Sequence, residues 1–162
     1  MSYLLQPLLR IRTMREDRAS GELSAARREL AAAEAALEAR RRDLAAYEET
    51  KEERRDRIYD AIMGRAVSRE QIDLANAGVA RIDEEGALKT DNVARAEAER
   101  KKREEAAAAA RQNLFLATKD RMKIDEHKGV WLAVEAAEEE LRAEGELEDF
   151  VVRKLEISPW KG

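Results

Sequence analysis

The sequence predicts an all-α fold: a long two-stranded antiparallel coiled-coil hairpin with a short helical or loop segment at the turn. Three observations predict it. Leucines recur every seven residues at Leu23, Leu30, Leu37 and Leu44. No proline lies between Pro7 and Pro159. Charged residues make up 41% of the 162 positions and aromatics only 4%, so bulky side chains for a globular core are scarce. The apolar share is mostly alanine, the composition of long helices. High charge also marks disordered chains, but a regular apolar repeat argues against disorder.

The first helix is expected from about Pro7, whose missing N–H suits a helix start, to Met63. Ile58 continues the leucine series, and Lys51 alone breaks the seven-residue step. Ala26, Ala33, Tyr47 and Ala61 supply the companion positions. Such a repeat keeps one seam facing a partner helix. At about 1.5 Å per residue this helix would span roughly 85 Å, too long for a small globule.

Gly64 then interrupts the pattern, and Ser68-Arg-Glu-Gln71 forms a capping box that can start another helix. The return helix begins somewhere between Ser68 and Leu88. Val93, Ala96, Ala107, Ala110, Leu114, Ala117, Ile124 and Trp131 share one heptad frame. Near Gly129 a shifted register is expected, through Val130, Val134, Ala137 and Leu141, then Val151 and Leu155. One domain over 1–162 follows: a first helix at about 7–63, a turn and short helix at about 64–86, a return helix at about 87–155 and a flexible tail at 156–162. Exposed Glu38→Arg42, Glu53→Arg57, Glu97→Lys101 and Glu99→Arg103 pairs would each add a few tenths of a kcal/mol. A hairpin is expected over a parallel homodimer, because a compact break suits an antiparallel return.

Composition also limits function. The net charge is −4 with both signs interspersed, unlike the net basic face of a nucleic-acid or membrane-surface binder. Arg40-Arg-Arg42 and the basic stretch at 51–57 are interleaved with carboxylates, so they read as solvated faces. There is no cysteine. No apolar run approaches the ~20 residues of a membrane span, and the start lacks a signal-peptide pattern. No direct membrane insertion and a cytoplasmic location are therefore expected. His127, the single histidine, lacks i+3 or i+4 ligand partners and reads as a rim side chain. No glycine-rich phosphate loop or nucleophile motif occurs. Catalytic residues, cofactors and metals are all expected to be absent.

The ends of the predicted helices carry the distinctive chemistry. Leu4, Leu5, Leu8, Leu9 and Ile11 crowd the N-terminus with Arg10, Arg12, Arg15 and Arg18. Segment 135–149 holds eight acids against Arg142. It leads into Phe150-Val-Val152 and Leu155, then Pro159-Trp160. In a hairpin these ends lie together, either capping the coiled coil with a larger core or forming a docking tip. The turn carries Tyr59, Ile62, Met63, Val67, Ile72, Leu74, Val79 and Ile82. Some must close the hairpin, and the surplus forms a second contact surface.

Taken in order, these parts resemble a known family. Leu8-Leu-Arg-Ile-Arg-x-x-Arg15-Glu opens the chain, and Tyr59-x-x-Ile62-x-Gly64-x-x-Val67 breaks it, with Ile72, Val79 and Ile82 following. The return carries Arg100-Lys-Lys-Arg103, the alanines of 106–110, then Lys119, Lys123 and Lys128. Acidic Glu135-x-x-Glu138-Glu-Glu-Leu141 and Glu146-Leu-Glu-Asp-Phe150 come last. This arrangement is similar to the YscO/SctO stalk proteins of type III secretion systems, relatives of flagellar FliJ. Members often carry Glu-Lys-Phe in the return helix, where this chain has Asp125-Glu-His-Lys128-Gly-Val-Trp131.

The resemblance implies a non-catalytic central stalk at the cytosolic base of the apparatus, a monomer when isolated. It implies two partners, the hexameric secretion ATPase and the cytosolic ring of the export gate. Family members can also bind secretion chaperones. On that reading the ATPase end comprises Leu5, Leu8, Arg10, Arg12, Arg15, Glu139, Glu140, Leu141, Glu148 and Phe150. The export-gate end comprises Tyr59, Ile62, Met63, Val67, Ile72 and Val79. A generic coiled-coil spacer or prefoldin-like helper is the alternative.

Overall fold

The structure is a computed structural model that describes residues 3–156. It holds two long helices, α1 (Gln6–Asp60) and α2 (Arg69–Glu156), packed as an antiparallel hairpin. The chain divides into two compact units. One comprises Met1–Ser20 with Asn113–Gly162, and the other Gly21–Gln112.

Helix α1 starts one residue before Pro7, where that proline's missing donor removes no helical bond. It stops at Asp60, where the chain turns through Gly64 at φ 72°. That left-handed conformation is open to glycine at little steric cost. The Met63 and Ile62 amides both donate to the Tyr59 carbonyl, closing the helix end. Helix α2 then begins at Arg69, earlier than the expected return helix near residue 87. The reason is the cap: Gln71 accepts from the Ser68 amide at 2.9 Å, and the Gln71 amide donates to the Ser68 hydroxyl at 3.3 Å. A helix started there meets no proline before its end, so no separate short helix forms. Of the tail expected at 156–162, Glu156 ends α2; the rest, with Pro159 and Trp160, lies outside the described residues.

In the second unit, partners climb α1 as they descend α2. Glu29 pairs with Arg103, Asp43 with Lys89, and Lys51 with Asp83. Leu23, Leu37 and Tyr47 are buried from α1, and Ala75, Val79 and Ile82 from α2. Two strands cover a seam from one side only, so Leu30, Ala33 and Leu44 are half-buried. Lys51 keeps its seam position, lying half-buried with its ammonium 3.2 Å from Asp83. Its methylenes cover apolar surface while the charge reaches the rim. Of the expected i,i+4 pairs, Glu53–Arg57 and Glu99–Arg103 form. Glu97 instead bonds across to Arg41 at 2.8 Å, because the helix register brings that guanidinium alongside.

Two α2 glycines make room for α1 side chains. A Cβ on Gly78 would lie 3.1 Å from Ile58 Cδ1, and one on Gly86 would lie 3.0 Å from Tyr47 Cε1. Gly21 faces open space. The same residue type therefore predicts opposite signs. Gly21→Ala should raise stability by up to ~1 kcal/mol through helix propensity. Gly86→Val should lower it by about 1–3 kcal/mol through overpacking. Urea unfolding followed by circular dichroism separates the two, and equal shifts would contradict this packing.

In the first unit, Tyr3 is buried against α2. Its hydroxyl lies 2.8 Å from His127 Nδ1, and its ring centroid lies 5.4 Å from that of Trp131. Further along, Arg12 pairs with Asp120 at 2.8 Å, while Glu16 meets Thr118 and Arg121. The expected register shift near Gly129 does not occur. Lys128, Trp131 and Glu135 continue the original frame and are half-buried, whereas Val130, Val134 and Leu141 are all more than half exposed. The side chain of Leu155 lies outside the described residues. Tyr3 reaches α2 at His127 and Trp131, so no described residue of α1 remains to cover positions beyond 135. Every described side chain from 136 onward is exposed.

Candidate docking surfaces

Each unit presents one candidate surface. In the first unit, Leu5 and Leu8 are half-buried, while Arg10 and Arg15 are exposed. Arg12 is less available than its sequence position suggests. Its Nη1 is held by Asp120, and its Nε is buried without a hydrogen-bond partner. Leu4 and Met14, 88% and 69% exposed, add apolar surface. The acidic residues do not fold against these groups as the two ends were expected to do. Glu139, Glu140, Leu141, Glu148 and Phe150 all lie on the uncovered part of α2. Alanine, glutamate and leucine keep that segment helical by propensity, and Arg142 adds an i,i+4 pair with Glu138 at 3.2 Å.

The His127 region departs from the expected rim reading in one respect. His127 is exposed, but it and Trp131 both pack on the buried Tyr3 ring, an aromatic cluster that starts the hairpin. Tyr3 was not singled out from sequence. It precedes the apolar repeat, and only the pairing of the chain ends reveals its partner. Trp131 supplies the aromatic of the stretch that departs from Glu-Lys-Phe.

In the second unit, the turn forms a cleft of about 590 Å³. Ile58, Ile62, Val67 and Leu74 give it apolar walls, and Arg57 and Arg65 stand beside them. Tyr59, Met63 and Ile72 are exposed, Met63 at 71%. Val79 is different: at 7% exposure it belongs to the hairpin core, because the α2 register turns it toward α1. Tyr47 anchors the helix pair nearby. Its hydroxyl donates to the Ile82 carbonyl, and Arg54 lies 5.4 Å from its ring centroid. The Arg54 guanidinium is held above its ordinary pKa by a hydrogen bond to Glu85. Arg103 is raised likewise, chiefly by its hydrogen bond to Glu99. Among the described residues no helix is long and apolar enough to cross a membrane.

Together these features define a class of protein: an all-α hairpin of two long helices that exposes apolar and charged side chains. The chain belongs to the YscO family of type III secretion proteins, whose profile, "Type III secretion protein YscO", matches residues 5–153. The family found is the one its residues resemble, and it is a family of structural secretion components. A solved structure of a proposed YscO homologue from Chlamydia trachomatis is similar in fold, with a TM-score of 0.73 and 21% identity. The likeness covers 96% of this chain and 95% of that one. No curated protein gives a significant match.

Proposed function

We propose that this chain is the non-catalytic central stalk of a type III secretion system, linking the hexameric secretion ATPase to the cytosolic ring of the export gate. The observation that carries the reading is the YscO match over 5–153. On this reading the ATPase owns the nucleotide chemistry, and the stalk acts as a single copy at the cytosolic base of the apparatus. The first unit's exposed Arg10, Arg15, Glu139, Glu140, Glu148 and Phe150 face the ATPase. Tyr59, Met63 and Ile72 of the second unit face the gate, with the turn cleft as an apolar socket. Secretion chaperones form a further partner class. Exposed charge pairs are individually weak, which suits contacts that must slip between equivalent subunits of a ring.

The test is co-purification of the full chain with the hexameric ATPase and with the gate's cytosolic domain, followed by ATP hydrolysis on mixing. Binding to both rings and faster hydrolysis are expected. Absence of binding to either ring would overturn the proposal.

A further inference from the structure

One face of α2 in the first unit has no partner among the described residues, and its pattern is self-complementary. It begins at Phe115, Lys119 and Met122, steps of four and three that keep to one helical face. The α1-facing residues of this stretch are Leu114, Ala117, Ile124 and Trp131. The unpartnered face lies on the other side of the helix. Phe115 and Met122 are 59% and 57% exposed and line a shallow groove with Lys119 and Lys123. The same stepping reaches Gly129, Ala133 and Ala136 in the middle. It ends at Glu140, Glu144, Leu147 and Val151, where Leu147 and Val151 are 65% and 55% exposed.

The two halves of this face differ in sign. Lys119 and Lys123 mark the first half, in which Glu126 is the one carboxylate, whereas Glu140, Glu144 and Glu148 mark the second. Lys119 and these three glutamates make no ion pair among the described residues, and Lys123 has only a long contact to Asp120 at 3.9 Å. Opposite charges on the two halves of one face are satisfied when a second helix lies antiparallel upon it. Centred on Ala133, such a pairing sets Lys119 and Lys123 beside Glu148 and Glu144 of the other copy, two attractive contacts against the one like-charge meeting of Glu126 with Glu140. It also sets Phe115 against Val151. A small centre lets two helix axes approach closely. Gly129 fits this arrangement. Within the chain a Cβ there would meet nothing within 4 Å, so the position is open to a second helix.

We infer that the outer face of α2 between Phe115 and Val151 docks a second copy of this chain, as a two-fold antiparallel helix pair centred on Ala133. The inference does not rest on the stalk reading, and it departs from the isolated monomer that the family resemblance implies. It shares the acidic end with the proposed ATPase surface, so pairing and ring binding compete.

The test is sedimentation velocity on the full chain over a concentration series. A monomer–dimer equilibrium is expected, weakened by added salt through screening. Joint Lys119→Glu and Lys123→Glu replacement should raise the dimer dissociation constant at least about tenfold. Adding Glu144→Lys and Glu148→Lys should restore pairing. Because the sequence contains no cysteine, Ala133→Cys gives a second reading. It should form a disulfide-linked dimer on mild oxidation, while Ser20→Cys on α1 should not. Circular dichroism of each variant confirms helicity. A strictly monomeric chain, a trimer, or cross-linking no faster at Ala133→Cys than at Ser20→Cys would overturn the inference.

Discussion

Replacing Tyr47 with alanine should lower the stability of the second unit by about 3 to 5 kcal/mol, the usual loss for a large buried aromatic. Tyr47 is 5% exposed, in a hairpin where most seam residues reach only half-burial. Its ring fills the space left by Gly86 and carries the cations of Arg54 and Lys89, 5.4 and 5.7 Å from its centroid. The truncation would therefore leave a cavity and two cations without their aromatic face. Tyr47→Phe separates the contributions. It keeps the ring and removes the hydroxyl bond to the Ile82 carbonyl, for an expected loss of about 0.5 to 1.5 kcal/mol. Thermal unfolding should move by roughly 6 to 20 °C in the alanine variant, at about 2–4 °C per kcal/mol for a chain of 162 residues. If both variants lose the same amount, the ring is not the anchor described.

Removing the uncovered end of α2 should have the opposite profile, with little change in stability and a large change in binding. A chain ending at Glu135 keeps Tyr3, His127 and Trp131 together, and every described side chain it deletes is exposed. Its melting temperature should stay within a few degrees of the full chain, because no buried side chain among the described residues is lost. Its affinity for the hexameric ATPase should fall at least about tenfold, because the loss includes Phe150, the one aromatic beyond Trp131 among the described residues. The triple variant Glu139→Lys, Glu140→Lys, Phe150→Ala tests the same surface without shortening the helix. Calorimetric titration against the ATPase reads both. An unchanged affinity in both would detach this surface from the ATPase.

The sequence carried the fold because a coiled-coil seam is a local code. The leucine step, the Ser68–Gln71 box and Gly64 each act within a few residues, and each appears in the structure as its pattern implies. The failures involve the other helix. Val130, Val134 and Leu141 form an apolar period that resembles a shifted seam, but a seam needs a facing helix, and α1 has run out there. Likewise, Glu97 has Lys101 one turn away, yet it bonds to Arg41. Gly78 and Gly86 each receive an α1 side chain, a fit that only the pairing of the helices reveals. Of the candidate surfaces, the sequence located the residue types. It could not show that Val79 turns inward, that Arg12 is tied to Asp120, or that the acidic end stands uncovered. All three depend on the register between the helices.

The stalk reading is tested most directly by photo-cross-linking in the assembled apparatus. A photoreactive residue is placed at Phe150 in one strain and at Met63 in another, both exposed positions whose replacement leaves the seam intact. The account predicts that the probe at Phe150 captures an ATPase subunit and the probe at Met63 captures a subunit of the export-gate ring. Capture of the same ring from both positions, or of neither ring, would contradict it.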